Sequence, residues 1–485
     1  MVKEKQEKQE KNELGITAEK DEFSEWYTQL LQKAELIEYT NVSGCYILRP
    51  RAYFIWEKVQ EYFNDKIRKD GVKNASFPLF ISKSNLMKEQ EHVKGFTPEV
   101  AWVTKSGETE LQEPLAVRPT SETIFYPAYS KWIRSWRDLP LRLNQWANVV
   151  RWEFKNPVPF IRSREFLWQE GHSVFETRGE AEKEVKKIQD FYADTYKEIY
   201  AIPVIKGMKT EKEKFSGAVY TLTTEIFLPS GKAAQGATSH LLGQNFAKAF
   251  EIKFLDKNGK SQFPWQTSWG ISTRSIGIAI MMHSDDKGLI ISPKIAEIQI
   301  IIVPILSEDK EKVLKQAEKI KQDLKDFRVE IDKREEYKPG FKFNEWEMKG
   351  IPLRIEIGPR DLKADQVILA RRDSGKKEII KVKELVKKVK ETLEDIHNSL
   401  YKKAEKVLKD NIVEAKNVNE LIGAIKNKKI VKCFWDGSVE SEDWIKDKTG
   451  GAKILCIIDE KPKASSKCVY SGKPAKYFVY IAKSY

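Results

Sequence analysis

Residues 149–166 read VVRWEFKNPVPFIRSREF, and this stretch decides the fold. VVRWEF is apolar and strand-like, with Arg151 and Glu153 two residues apart. Alternation along a strand places such a pair on one face. The loop KNPVPFI follows, and then a second run opens with Arg162 and reaches Phe166. Two strands joined this way predict an antiparallel hairpin. A guanidinium on its face can grip a phosphate through two hydrogen bonds. A carboxylate beside it can accept from an amine, and an aromatic ring on the return strand can stack on a purine. The pattern therefore points to a nucleotide site. A plain hairpin with an ion pair and a core phenylalanine would show the same residues.

Two further stretches decide between these readings. Downstream, residues 269–280 read WGISTRSIGIAI, with Ser272 and Arg274 between Gly270 and Gly277, which permit close backbone approach. Upstream, RAYFIWEKVQEYFNDKIRKDGV places Trp56, Val59, Phe63 and Ile67 at helical spacing, and the strand-like NASFPLFI follows. In this order the three stretches resemble the signature motifs of class II aminoacyl-tRNA synthetases. The resemblance implies that Arg151 holds the α-phosphate of ATP and Glu153 reads the adenine amine. It also implies that Phe166 and Arg274 sandwich the purine, near Ser272, while Arg162 approaches the terminal phosphates. The catalytic groups would be Arg151 and Arg274. The helix and the strand after it would form a homodimer interface.

Four longer strings narrow the family. VRPTSETIFYP, FLWQEGHSVF, KFSGAVYT and QGATSHLLGQNF resemble prolyl-tRNA synthetases of the archaeal and eukaryotic type, and the likeness runs from about residue 23 onward. It implies that Thr120, Glu122 and Arg151 hold the proline amine and carboxylate. Trp168, Glu170, Phe215 and His240 would shape the ring pocket, with His172 behind it. Gln235 and Thr238 would contact ATP, Gln235 through Mg²⁺. The chemistry agrees. Proline's secondary ammonium has two N–H donors that need acceptors, which Glu122 and Thr120 can supply. Its ring has no polar group and suits flat apolar walls. Phe96 and Glu99, in the polar stretch EQEHVKGFTPEV, would belong to a lid.

The remaining chain reads as further domains. Residues 1–20 alternate Lys, Glu and Gln without apolar periodicity and predict a disordered charged tail. Residues 21–292 predict the α+β catalytic domain on an antiparallel sheet, the class II synthetase fold. Over 293–405, IAEIQIIIVPI and later strands alternate with amphipathic helices, predicting an α/β domain with a mostly parallel sheet. By likeness it is the anticodon-binding domain, and FNEWEMKGIPLRIEIGPRDL and ARRDSGKK support that. Glu347, Lys349, Arg354 and Arg371 are its candidate anticodon readers. Residues 406–485 predict a separate small α+β C-terminal domain. Relatives carry four zinc-binding cysteines there. In this chain Asp436 and Ser441 stand at the first two positions, Cys468 at the third and Tyr470 at the fourth, so no zinc is expected.

Composition bounds the setting. The chain has 485 residues, a formal net charge of +13 and four cysteines. The charge suits an RNA partner. The cysteine count suits a reducing compartment, and the chain has neither a membrane-length apolar run nor a signal-like start. A cytoplasmic homodimer acting on L-proline, ATP with Mg²⁺ and tRNA(Pro), with no membrane or DNA partner, is expected. The rival readings are a threonyl- or glycyl-type class II enzyme and a non-catalytic RNA-binding paralogue.

Overall fold

The computed structural model describes residues 15–92, 99–306 and 309–485. Its centre is an antiparallel sheet in which Leu141–Val150, Glu165–Phe175, Trp265–Ser272, Lys232–Gly243 and Tyr220–Phe227 lie side by side in that order. One face is covered by the helices Pro50–Lys69, Arg178–Glu198 and Arg274–His283. The Arg178–Glu198 helix starts at a capping box, in which Thr177 and Glu180 satisfy each other's backbone N–H groups. Trp56, Val59, Phe63 and Ile67 are all buried in this core. Phe63 stacks on Tyr192 at 5.1 Å and packs near Trp269. The apolar stripe expected at a dimer interface thus lies in the chain's own core, and a dimer contact on this helix would use its polar face.

The second sheet runs Val329–Ile331, Ile300–Pro304, Leu353–Ile357, Gln366–Arg371, Lys377–Lys381. It is mixed, not mostly parallel. Its first two pairings are parallel and its last two antiparallel. The reason is loop length: eight residues separate Leu353–Ile357 from Gln366–Arg371, too few for a crossover to a parallel strand.

Three other expectations change. Residues 15–20 are anchored at two points: Ala18 is buried, and the Lys20 ammonium donates to the Ser284 carbonyl at 2.6 Å. The rest of the expected tail, residues 1–14, lies outside the described residues. The helix Leu385–Asn411 runs unbroken through the boundary expected at 405, because its apolar face continues from Leu400 and Ala404 to Leu408, which packs against the neighbouring core. The C-terminal strands do not form a separate sheet. Ile457 pairs with Met208, and Lys483 and Ser484 lie parallel to Lys232 and Ala233, so these strands extend the catalytic sheet. Among the described residues no helix is long and apolar enough to cross a membrane.

Candidate active site

The strand Leu141–Val150 ends just before Arg151, so Arg151 and Glu153 sit in the turn, not on the strand. Pro157 and Pro159 lack the N–H that a longer ladder needs. The backbone bond from Arg151 N to Arg164 O closes the ladder at this point, and Val158 and Arg162 pair again nearer the tip. Arg151 is then fixed by its side chain. Its Nε donates to the Pro119 carbonyl at 2.9 Å, and its guanidinium lies 5.5 Å from the Phe166 ring and 5.2 Å from the Trp168 ring.

Arg274 is the first residue of its helix, and its Nε donates to the Ile161 carbonyl in the same hairpin loop at 3.0 Å. That approach requires Gly277. A Cβ there would lie 2.7 Å from Ile161 Cδ1 and 2.9 Å from Phe160 Cβ.

These residues meet in one cavity of about 440 Å³. Arg151, Glu153, Phe166, Ser272 and Arg274 line it with Gln235 and Thr238. Thr120, Glu122, Trp168, Glu170, His172, Phe215 and His240 line it too, and the two groups meet where Thr238 touches His240 and Arg151 lies over Trp168. Gln235 and Thr238 are an odd number of residues apart, and strict alternation would point them to opposite faces. A β-bulge resolves this. Thr224 pairs with Ala237 and Glu225 with Gln235, which leaves Gly236 as the extra residue and shifts the parity. Arg162 is exposed and lies outside the cavity lining, next to Ile161. Glu99 is also exposed, and its carbonyl accepts from Trp152 N at 3.0 Å, beside the Arg151 turn. Phe96 lies outside the described residues.

Two buried carboxyls, Glu170 and Glu122, line the cavity. Glu170 accepts from Ser121 Oγ at 2.5 Å and Gln145 Nε2 at 2.6 Å, and His172 Nε2 is 3.2 Å away. Burial works to raise its pKa, but these donors outweigh burial and hold it below the usual range. Glu122 is 3 % exposed and accepts from Thr120 Oγ1 at 2.5 Å. Burial, the larger effect, pushes its pKa up against the attraction of His172. His172 Nδ1 meets Tyr126 OH at 3.0 Å. Burial lowers the pKa of His240 to about 3, so it is a neutral wall. It lies 4.8 Å from the Phe215 ring, between the hydroxyls of Thr221 and Thr238.

Ser121, Gln145 and Ser268 are absent from the sequence-based set. Ser268 Oγ and Trp168 Nε1 are buried on this cavity without a hydrogen-bond partner. Ser121 lies inside the VRPTSETIFYP string, between Thr120 and Glu122, whereas Gln145 and Ser268 depend on strand register: Gln145 stands opposite Glu170, and Ser268 opposite His172.

A second, smaller cavity of about 160 Å³ lies in the mixed-sheet domain. Glu347, Arg354 and Arg371 line it together with Trp346, Arg372 and Lys377. Lys349 is not brought there. It pairs with Glu345 at 3.0 Å and Glu35 at 3.2 Å.

At the expected zinc position, Asp436 Oδ1 accepts from Ser438 Oγ at 2.9 Å and Ser441 Oγ at 2.8 Å, and Oδ2 accepts from Ser471 Oγ at 2.6 Å. Tyr470 turns away to stack on Trp444 at 4.4 Å. Hydroxyls closed on a carboxylate do not fit zinc, which takes thiolate and imidazole ligands in structural sites. Among the described residues no group of three or more His, Cys, Asp or Glu side chains is placed to hold a metal.

An arginine-bearing hairpin turn, a second arginine opening a buried helix and an antiparallel sheet beneath them define a class II aminoacyl-tRNA synthetase. The family model of the tRNA synthetase class II core domain (G, H, P, S and T) matches residues 102–283, and the anticodon binding domain model matches 299–392. The model of the prolyl-tRNA synthetase C-terminal region matches 418–485. The chain is 50 % identical over 484 residues to the cytoplasmic proline–tRNA ligase of Arabidopsis thaliana, covering 97 % of this chain and 91 % of the relative. It is 48 % identical over 501 residues to the bifunctional glutamate/proline–tRNA ligase of Cricetulus griseus, spanning 97 % of this chain but 33 % of that longer protein. Among solved structures, the prolyl-tRNA synthetase of Cryptosporidium parvum, complexed with halofuginone and AMPPNP, superposes with a TM-score of 0.94. It is 47 % identical, and the match covers 97 % of this chain and 100 % of that one. The chain belongs to the prolyl-tRNA synthetase family.

Proposed function

We propose that this chain activates L-proline with ATP and transfers it to the 3′ end of tRNA(Pro), with the residues of the large cavity in the following roles. The purine lies between Phe166 and Arg274, with its amine toward Glu153. Arg151 meets the α-phosphate, and Mg²⁺ arrives with ATP near Gln235. Arg162, at the rim, faces the outer phosphates, and Glu99 borders the same end. The proline ring lies among Trp168, Phe215 and His240. Its ammonium donates to Glu122 and to Thr120, and the unpartnered Ser268 hydroxyl is within the same lining.

The proline carboxylate attacks the α-phosphorus in line, and pyrophosphate leaves. A terminal ribose hydroxyl of tRNA then attacks the adenylate carbonyl, and AMP leaves. No side chain forms a covalent bond. The protein's work is positioning and charge stabilisation, through Arg151 and Arg274. Binding of AMPPNP by the Cryptosporidium relative supports ATP at this site. Glu347, Arg354 and Arg371 are proposed to contact the anticodon, where guanidinium groups can grip base edges. A homodimer in the cytoplasm is part of the same proposal, and the cytoplasmic Arabidopsis relative supports the compartment.

One observation carries the reading. A buried carboxyl that a cation would ionise stands beside apolar ring walls and shares a cavity with the arginine pair. Pyrophosphate exchange with a panel of amino acids tests it. Proline should drive exchange well above all others. Exchange driven by threonine or glycine would reassign the substrate, and no exchange with any amino acid would favour a non-catalytic paralogue.

A further inference from the structure

The 160 Å³ cavity and the ATP end of the large cavity are joined by a short chain of direct contacts. Arg372 lines the smaller cavity yet is 6 % exposed. Its Nε donates to the Glu347 carbonyl at 2.7 Å. Its two terminal nitrogens grip the Asp285 carboxylate at 3.0 and 2.5 Å. Asp285 opens the turn that follows the Arg274–His283 helix, and its carbonyl accepts from Trp26 Nε1 at 3.1 Å. The same turn locks into the segment bearing Glu347. Leu289 N donates to Met348 O at 2.9 Å. Gly288, at φ +141°, lies so close that a Cβ would be 2.4 Å from Met348 Cα.

The helix beyond this turn is rigid by construction. Every residue from Ser275 to Met282 is buried, and close-packed interiors move as units. Ten residues span ~15 Å, and Arg274 stands at the far end. A displacement of Glu347 or Arg372 therefore reaches Arg274 without crossing a flexible segment.

We propose that Asp285 and Arg372 are positioning residues that transmit occupancy of the small cavity by an RNA loop to the setting of Arg274. The inference rests on the functional reading above. The adenylate's purine leans on Arg274, so its setting governs how the adenylate carbonyl meets the tRNA's terminal ribose. Loop binding is felt in the transfer step, whereas adenylate formation without tRNA does not depend on it.

The test compares cognate tRNA(Pro) with a tRNA(Pro) whose anticodon bases are replaced, on the full chain and on Asp285→Asn. In the unaltered chain, replacing the anticodon should lower kcat for charging. In Asp285→Asn, kcat on cognate tRNA should fall about tenfold toward the replaced-anticodon value. The KM for tRNA and the tRNA-free pyrophosphate exchange should stay within about twofold. Asp285→Glu, which keeps the carboxylate, should recover most of the loss. Unchanged cognate kcat in Asp285→Asn would overturn the proposal. So would a parallel fall in tRNA-free exchange, which would make the ion pair a mere support of the ATP site. Absence of proline-dependent exchange in the unaltered chain would remove the functional reading itself, and this inference with it.

Discussion

Glu122 and Glu170 are both buried beside one cavity, and their partners give them opposite tasks. Glu170 is satisfied by Ser121, Gln145 and His172 and stays ionised as part of the wall. Glu122 has the Thr120 hydroxyl and a raised pKa, so an ammonium arriving there supplies the charge that burial denies it. Arg151 is the corresponding cation at the other end of the substrate. Its guanidinium is held by Pro119 and by two aromatic rings, so it is preorganised before ATP binds. Replacing Arg151 with Ala should remove roughly 3 kcal/mol or more of transition-state stabilisation, since a charge-assisted contact in a dry site is lost. The fold should survive, because Arg151 sits in a turn. Pyrophosphate exchange within tenfold of the unaltered chain would refute the role given to it. Most of these residues were legible in the sequence because they lie in motif strings. Gln145 and Ser268 were not, since an ordinary Gln or Ser gains its role only when strand register sets it against Glu170 or His172, and Ser121, though inside a string, shows its role only through its bond to Glu170.

At the scale of elements, legibility followed local periodicity and stopped where connections decide. The hairpin, the helix Pro50–Lys69 and the helix Lys310–Asp323 were readable from spacing. The end of the strand before Arg151, the Gly236 bulge and the antiparallel half of the second sheet were not, because each depends on what a strand pairs with. The C-terminal region shows the same limit. Sequence located Asp436, Ser441 and Cys468, but not the Ser471 hydroxyl that closes the network on Asp436. That network holds the Asp436 carboxyl at about 2, with burial opposing and three serine hydroxyls and one backbone N–H prevailing. Cys433 and Cys456 are deep in strands, where burial pushes both thiols far up and disfavours the thiolate a metal needs. Protein purified without chelators should therefore contain well under one zinc per chain by metal analysis. A stoichiometric zinc held by the three buried cysteines would show that the Asp436 network is not the structural substitute inferred here.

Among the described residues, three histidines in different parts of the molecule are pushed toward the neutral form. His240 lines the active cavity, and burial lowers its pKa to about 3. His283 ends the Arg274 helix and contacts the Tyr200 carbonyl at 2.8 Å, and burial lowers its pKa to about 4. His397, on the long helix, meets Ser292 Oγ at 2.8 Å across the catalytic boundary, and burial again lowers its pKa to about 4. An unfolded histidine titrates near 6.5. Between about pH 6.5 and 4 the unfolded chain therefore binds protons that the folded chain refuses, and stability must fall as pH falls. Each histidine can contribute up to about 1.4 kcal/mol per pH unit in that window. Glu122 and Glu442 act in the opposite sense, because a carboxyl raised by burial favours the folded state on acidification, but they are two groups against three. Asp332 and Asp436, both held near 2, add their loss only below about pH 4, as the unfolded carboxyls begin to protonate. Urea midpoints should thus decline from pH 7 to pH 5, before the depressed carboxyls of Asp332 and Asp436 add their loss. A His397→Asn variant should show a shallower decline over the same range, by about one proton's worth. A midpoint that stays flat from pH 7 to pH 5 would mean that these histidines accept protons in the folded chain, and that the junction around Ser292 is open to water.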